Sequence, residues 1–154
     1  MDEIDRNITV ALQQDGSSGL AELAKVAGLS VSATAERVKR LEERGVIRAW
    51  RADLDPAEAG CPLLAHVLVT VSPGRDDAAF RERMLGEEAV LECHAVTGAW
   101  TYLLKLRLAD LAALDAFLRG KLRTLPGVQR AETLLAIATV KETAMLPVAP
   151  ATEE

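Results

Sequence analysis

An α+β fold in two parts is predicted by three features of the 154-residue sequence. Leu20 to Ile47 reads as two short apolar-periodic helices joined by Gly28-Leu29-Ser30, the layout of a helix-turn-helix. From Leu63 onward, strand-like and helix-like segments follow the order β-α-β-β-α-β, which is a ferredoxin-like arrangement of four antiparallel strands with two helices on one face. Between them, Leu54-Asp55-Pro56 and Gly60-Cys61-Pro62 bracket a stretch of linker character. The expected divisions are residues 1–52 (helix-turn-helix with a linking strand), 53–62 (linker), 63–142 (ferredoxin-like domain) and 143–154 (tail).

The first helix rests on Ile4, Ile8, Ala11 and Leu12 at helical spacing, closed by Asp15-Gly16. Leu20, Leu23, Ala24 and Ala27 give the second, with Glu22 three residues after Gly19 in a capping-box-like position. Gly28 supplies the turn, and Ser30 is a good N-cap for a third helix that stops at Gly45. In that helix Val31, Thr34, Ala35, Val38 and Leu41 form the core side. Small residues at its start and cations further along suit a helix lying in a groove walled by phosphates. Val46 to Asp53 alternates well enough to be a strand.

In the second part, Leu63–Ser72 is a β-branched strand ended by Pro73-Gly74, and Asp77–Glu87 is a helix with Phe80, Met84 and Leu85 as its stripe. Val90–Thr97 and Thr101–Leu108 are strands joined by Gly98-Ala99-Trp100. A helix through Leu111, Leu114, Phe117, Leu118 and Leu122 precedes a last strand, Arg130–Lys141. One face of such a sheet stays open, and a second copy of the chain is its natural cover, so a dimer is expected. The tail from Thr143 is expected to be loosely packed.

Composition narrows the function. An apolar fraction of 49% with 27% charged residues fits a folded chain and excludes disorder. Aromatics make up 3%, so Leu, Val, Ile and Ala must build the core. The acidic start MDEIDRN has no apolar h-region, so no signal peptide is expected, and no apolar run nears the roughly 18 residues of a membrane span. Cys61 and Cys93 lack zinc-type spacing and read as buried thiols of a cytoplasmic protein. Cys93 and His94 are adjacent on a strand and face opposite sides of the sheet, so no metal, cofactor or catalytic pair is expected of them.

The net charge of −5 argues against a nucleic-acid partner, but its distribution does not. From Ser30 to Arg51, six basic residues (Arg37, Lys39, Arg40, Arg44, Arg48, Arg51) stand against Glu36, Glu42 and Glu43. Screening limits such interactions to about 8 Å at physiological salt, so a basic patch on an acidic body can still bind phosphates. A solvated helix face is the plainer reading of the same charges.

Pattern by pattern, the chain resembles the Lrp/AsnC (leucine-responsive/asparagine, or feast/famine) regulators. The residues that carry the resemblance are Asp5-Arg6-Asn7-Ile8, Glu22-Leu23-Ala24, Gly28-Leu29-Ser30, Glu36 to Glu42 and Gly45-Val46-Ile47. Glu92-Cys93-His94, Val96-Thr97-Gly98, Tyr102 to Lys105 and Leu125 to Val128 continue it. The resemblance implies a transcriptional regulator that binds double-stranded operator DNA, forms homodimers that assemble to tetramers or octamers, and responds to a small effector, usually an amino acid. In that context the residues of the third helix read as DNA contacts at Arg37, Lys39 and Arg40, with Ser30 a helix cap first that can also meet a phosphate, and with Ser32 and a half-buried Thr34 near bases or phosphates. The resemblance places effector contacts at Gly98, Ala99, Trp100, Thr101, Leu134 and Ala136.

Two departures from the pattern stand out. Thr101 occupies a position that is usually Asp, and Leu134 to Thr139 offers no acidic or large polar side chain; an apolar or aromatic amino acid, or a ligand without a free amino group, is therefore expected beside Trp100. Ser18-Gly19 replaces an apolar residue and a Ser cap ahead of the second helix. A metabolite-binding oligomer that does not read DNA is the competing reading; an enzyme is not expected, because no nucleophile-base pair, metal spacing or phosphate loop is present.

Overall fold

The N-terminal helices form where capping and apolar spacing agree. In the computed structural model, which describes residues 1–148, α1 spans Glu3–Gln14, α2 Leu20–Ala27 and α3 Val31–Glu43. Asp2 caps α1 by accepting the Asp5 N–H at 2.8 Å, and Ser30 caps α3 by accepting the Ala33 N–H at 3.2 Å. Gly28, at φ +66°, ends α2 in the left-handed region, which lets Leu29 N–H reach the Ala24 carbonyl at 3.1 Å. Ile8, Ala27 and Leu41 form the shared core, with Ile4, Leu12, Leu29, Val38 and Ile47 packed against it. Val31, expected on the core side, is exposed at the first turn of α3.

The second part holds β1 (Leu63–Val71), α4 (Arg75–Leu85), β2 (Val90–Ala95), β3 (Tyr102–Leu108), α5 (Leu111–Phe117) and β4 (Val128–Leu135). A π-helical turn, Leu118–Leu122, extends α5. The strands pair antiparallel in the order β2-β3-β1-β4. Alternation along β1 and β3 sends Ala65, Val67, Val69, Val71, Tyr102, Leu104, Leu106 and Leu108 to the helix side, where Phe80, Met84, Leu114, Phe117 and Leu122 cover them. The alternate residues Leu64, His66, Leu68, Leu103, Lys105 and Arg107 lie on the other face and are only half-buried.

The chain divides into two compact units, Met1–Asp53 with the segment from Lys141, and Leu54–Val140. The tail returns to the first unit through a reciprocal pair: Gln13 Nε2 donates to the Leu146 carbonyl at 3.1 Å, and Leu146 N–H donates to Gln13 Oε1 at 2.6 Å. The tail was expected to be loose; as far as Leu146 it is anchored to α1, while 149–154 lie outside the described residues. No helix among the described residues is long and apolar enough to cross a membrane.

Three expectations need correction. Val46–Asp53 is not a strand, because an isolated extended segment gains no ladder and none of the described residues pairs with it as a strand. Gly45, at φ +69°, instead turns the chain so that Val46 and Ile47 both donate to the Leu41 carbonyl. The last strand stops at Leu135 rather than Lys141. Its partner β1 begins at Leu63, just after Pro62, so beyond the Ala136 N–H to Leu64 carbonyl bond the ladder has no strand to continue on. Cys93 is exposed on the edge strand β2 and is not a core thiol; Cys61 is half-buried. Partial burial of the Cys93 sulfur raises its pKa.

Gly127 has φ +80°, and a Cβ there would collide with the Asp76 side chain. Gly127→Ala is therefore expected to destabilise the ferredoxin-like unit by about 1–3 kcal/mol, read as a lower thermal midpoint of the full chain by calorimetry.

Candidate DNA-binding surface and effector loop

Helix α3 presents its two faces differently. Ser30, Ser32, Ala33, Glu36, Lys39, Arg40, Glu43 and Arg44 are exposed. Two of its cations make loose i,i+4 pairs, Arg40 Nε with Glu36 at 3.8 Å and Lys39 Nζ with Glu43 at 3.7 Å. Exposed pairs of this length contribute little, so both cations exchange readily onto a phosphate. Ser30 Oγ lies 3.2 Å from Ser32 Oγ, placing two hydroxyls at the positive end of the helix. Beyond the helix, Trp50 Nε1 donates to Glu42 at 2.7 Å, and Arg48 and Arg51 are exposed around it.

Two residues expected at this surface are not on it. Thr34 is fully buried, and its hydroxyl donates to the Ser30 carbonyl at 3.0 Å, so it serves the helix and cannot reach a base. Arg37 is turned inward, with its side chain 24% exposed, and Nη1 donates to Asp2 Oδ2 at 2.6 Å and Asp5 Oδ1 at 2.7 Å. The Asp5 N–H and the Arg37 guanidinium together hold the Asp2 carboxyl below its ordinary pKa, and the two carboxylates raise that of Arg37. Sequence reasoning placed Arg37 with the other cations because its partners lie more than 30 positions away.

In the second unit, the loop after β2 is tied at both ends. Val96 N–H donates to the Thr101 carbonyl at 3.0 Å, and Thr101 N–H donates to Val69 at 2.9 Å. Gly98 takes φ +105° between them, a conformation that a side chain would strain. The Thr101 hydroxyl accepts the Val71 N–H at 3.1 Å, so it closes the loop onto β1. Just after it, the Tyr102 hydroxyl donates to Asp77 at 2.6 Å, and burial raises the pKa of that phenol. Trp100 is half-buried, with the Arg130 guanidinium 4.2 Å from its ring centroid. Arg130 also pairs with Glu132 at 3.4 Å. Sequence reasoning did not single out Arg130; its signal was a cation at the start of the last strand, legible only once β4 was paired with β1.

Within one chain, Leu134 and Ala136 do not join this loop. In the β1–β4 register Arg130 faces Thr70 whereas Leu134 faces His66, four residues along the strand or about 13 Å away. Ala136 lines a different shallow depression with Pro62, Leu63, Leu111 and Ile137. On β2, Glu92 receives His94 Nε2 at 3.1 Å and Lys105 Nζ at 3.2 Å, which together hold its carboxyl below the usual range. Among the described residues, no group of three or more His, Cys, Asp or Glu is placed to hold a metal ion.

A helix-turn-helix with a solvent-facing basic helix, carried on a chain with a separate ferredoxin-like unit, defines a two-part DNA-binding protein. Residues 1–42 match the AsnC-type helix-turn-helix domain, and residues 64–146 match the Lrp/AsnC ligand binding domain. The chain is 36% identical to the HTH-type transcriptional regulator FL11 of Pyrococcus abyssi, over 96% of this chain and 97% of that one. It is 40% identical to the leucine-responsive regulatory protein of Haemophilus influenzae, over 95% and 89%. It superposes with a TM-score of 0.90 and 30% identity on a Neisseria meningitidis transcriptional regulator solved as its L-Met complex, covering 96% of each chain. The chain belongs to the Lrp/AsnC family of transcriptional regulators.

Proposed function

We propose that α3 binds operator DNA through Lys39, Arg40, Ser30 and Ser32, and that the ferredoxin-like unit takes an apolar amino acid or a related carboxylate beside Trp100. The observation that carries the first part is the loosely paired state of Lys39 and Arg40 on the open side of a helix whose other side is buried. Phosphate binding releases counterions from DNA, and an exchangeable exposed cation pays little for the transfer. Ser30 combines its capping bond with exposure at the helix N-terminus, which suits a phosphate oxygen. Thr34 has no part in this reading, and no catalytic step is included in it.

For the effector, an ordinary amino-acid ammonium would lack an acidic partner at Thr101, whose hydroxyl is already committed to β1. Trp100 offers an apolar wall, and the Arg130 guanidinium above it suits a carboxylate. The Neisseria relative crystallised with L-Met and the leucine-responsive name of the Haemophilus relative support an apolar side chain. Leu134 and Ala136 enter such a site only from another copy of the chain, since they lie away from the loop in their own. The half-buried apolar face carrying Leu64, Leu68 and Leu103 supports a homodimer across the sheets, with further assembly to tetramers or octamers. Effector binding then shifts assembly or DNA affinity only through unequal affinity for two states. The reading places the regulator in the cytoplasm with its DNA.

Two measurements test these assignments. In gel retardation of the protein's own promoter DNA, the joint Lys39→Ala and Arg40→Ala variant is expected to bind at least 10-fold more weakly near 0.15 M salt, and to lose up to about 2 units from the slope of log affinity against log salt. Unchanged retardation removes both residues from the interface. In a thermal-shift panel, apolar amino acids and their deaminated analogues are expected to raise the midpoint; stabilisation by Asp, Glu or Lys alone contradicts the apolar assignment.

A further inference from the structure

We propose that Arg37 is a positioning residue of the DNA-reading helix: with Asp2 and Asp5 it fixes the rotation of α3, and it makes no phosphate contact of its own. This inference rests on α3 being the DNA-binding helix. Its basis is a set of interactions converging on the start of α1. Arg37 Nη1 bridges Asp2 Oδ2 and Asp5 Oδ1, and Arg44, two turns further along the same side of α3, places Nη1 4.0 Å from Asp5 Oδ2. The Asp5 side chain is 11% exposed, and a carboxylate so far removed from water requires a counter-charge. If Arg37 swung outward to a phosphate, Asp5 would lose its closest cation.

Asp2 divides its oxygens between two tasks. Oδ1 accepts the Asp5 N–H and caps α1, while Oδ2 accepts from Arg37. The start of α1 and the middle of α3 are thus joined through one residue. The apolar contacts beneath, among Ile8, Ala27 and Leu41, set which side of α3 is buried, and the ion pairs add a directional restraint on its rotation about its axis. With 3.6 residues per turn, a rotation of about 50° would bring residues three or four positions away to the outer face in place of Ser32, Lys39 and Arg40. The ion pairs hold the rotation that keeps those residues outward. A buried ion pair in this role supplies register more than stability.

The test measures affinity for the protein's own promoter DNA against salt with the full chain carrying Arg37→Gln, Asp5→Asn, both together, Asp2→Ser or Arg40→Gln. Positioning predicts that Arg37→Gln weakens binding about 10-fold at every salt concentration with the slope unchanged. Asp5→Asn also weakens binding, although it removes a negative charge near DNA, and the double variant is no weaker than the worse single one. Asp2→Ser keeps a helix cap and breaks only the more exposed half of the bridge. It is expected to weaken binding about 2- to 5-fold, again without a change of slope, and it carries the test if Arg37→Gln fails to fold. A slope reduced by about 0.9 in Arg37→Gln, tighter binding by Asp5→Asn, or unaltered affinity in Asp2→Ser overturns the proposal. Arg40→Gln separates the two levels: its slope falls by about 0.9 if α3 binds DNA, and an unchanged slope and affinity there removes the DNA reading itself.

Discussion

A carboxylate buried near the start of the first helix organises the DNA-binding end of this molecule. The Asp5 carboxylate is largely removed from water, a position that calls for counter-charge, and Arg37 and Arg44, which approach it, come from α3 and its C-cap. The requirement sorts the basic residues of that helix into two sets. Those that answer Asp5 face inward or along its flank. Lys39 and Arg40, which answer only acidic neighbours on their own helix, face outward on weak pairs. Cations that look alike in sequence therefore divide between a face committed to the fold and one that is open.

The ferredoxin-like unit is divided by a similar constraint, here from strand geometry. The two-residue period of β1 and β3 sends Val67, Val69, Leu104 and Leu106 under α4 and α5, and sends Leu64, Leu68 and Leu103 to the opposite face. The loop carrying Trp100 is fastened to this sheet by Thr101, through a backbone bond to Val69 and a hydroxyl bond to Val71. Thr101 thus has a structural task at a position where an acid would have projected charge. This leaves Arg130, stacked on Trp100, as a charged group at the loop, which is why the proposed site is one for a carboxylate.

Features that depend on nearby residues were legible in the sequence. Ser30 as a cap, Gly28 as a left-handed turn and the β-α-β-β-α-β order all follow from spacing over a few residues, and the structure has each of them. Features that depend on a distant partner were not. Thr34 sits at helical spacing with Val38 and Leu41, yet whether its hydroxyl points to DNA or to Ser30 is decided by how α3 packs. Arg37 is indistinguishable from Arg40 until α1 is laid against it. Val46–Asp53 alternates like a strand but has no partner strand among the described residues, and the last strand ends where Pro62 ends its neighbour. The anchoring of Leu146 by Gln13 joins positions 133 residues apart, beyond the reach of any local pattern.

On the proposed reading α3 divides its cations, with Arg37 committed to the fold and Arg40 available to DNA. Nitrogen-15 NMR of the arginine guanidinium groups in the full chain, titrated with its own promoter DNA, tests this most directly. The Arg40 signal is expected to shift on binding, while the Arg37 signal, already held by two carboxylates in the free protein, stays in place. A shift of Arg37 as large as that of Arg40 would contradict it.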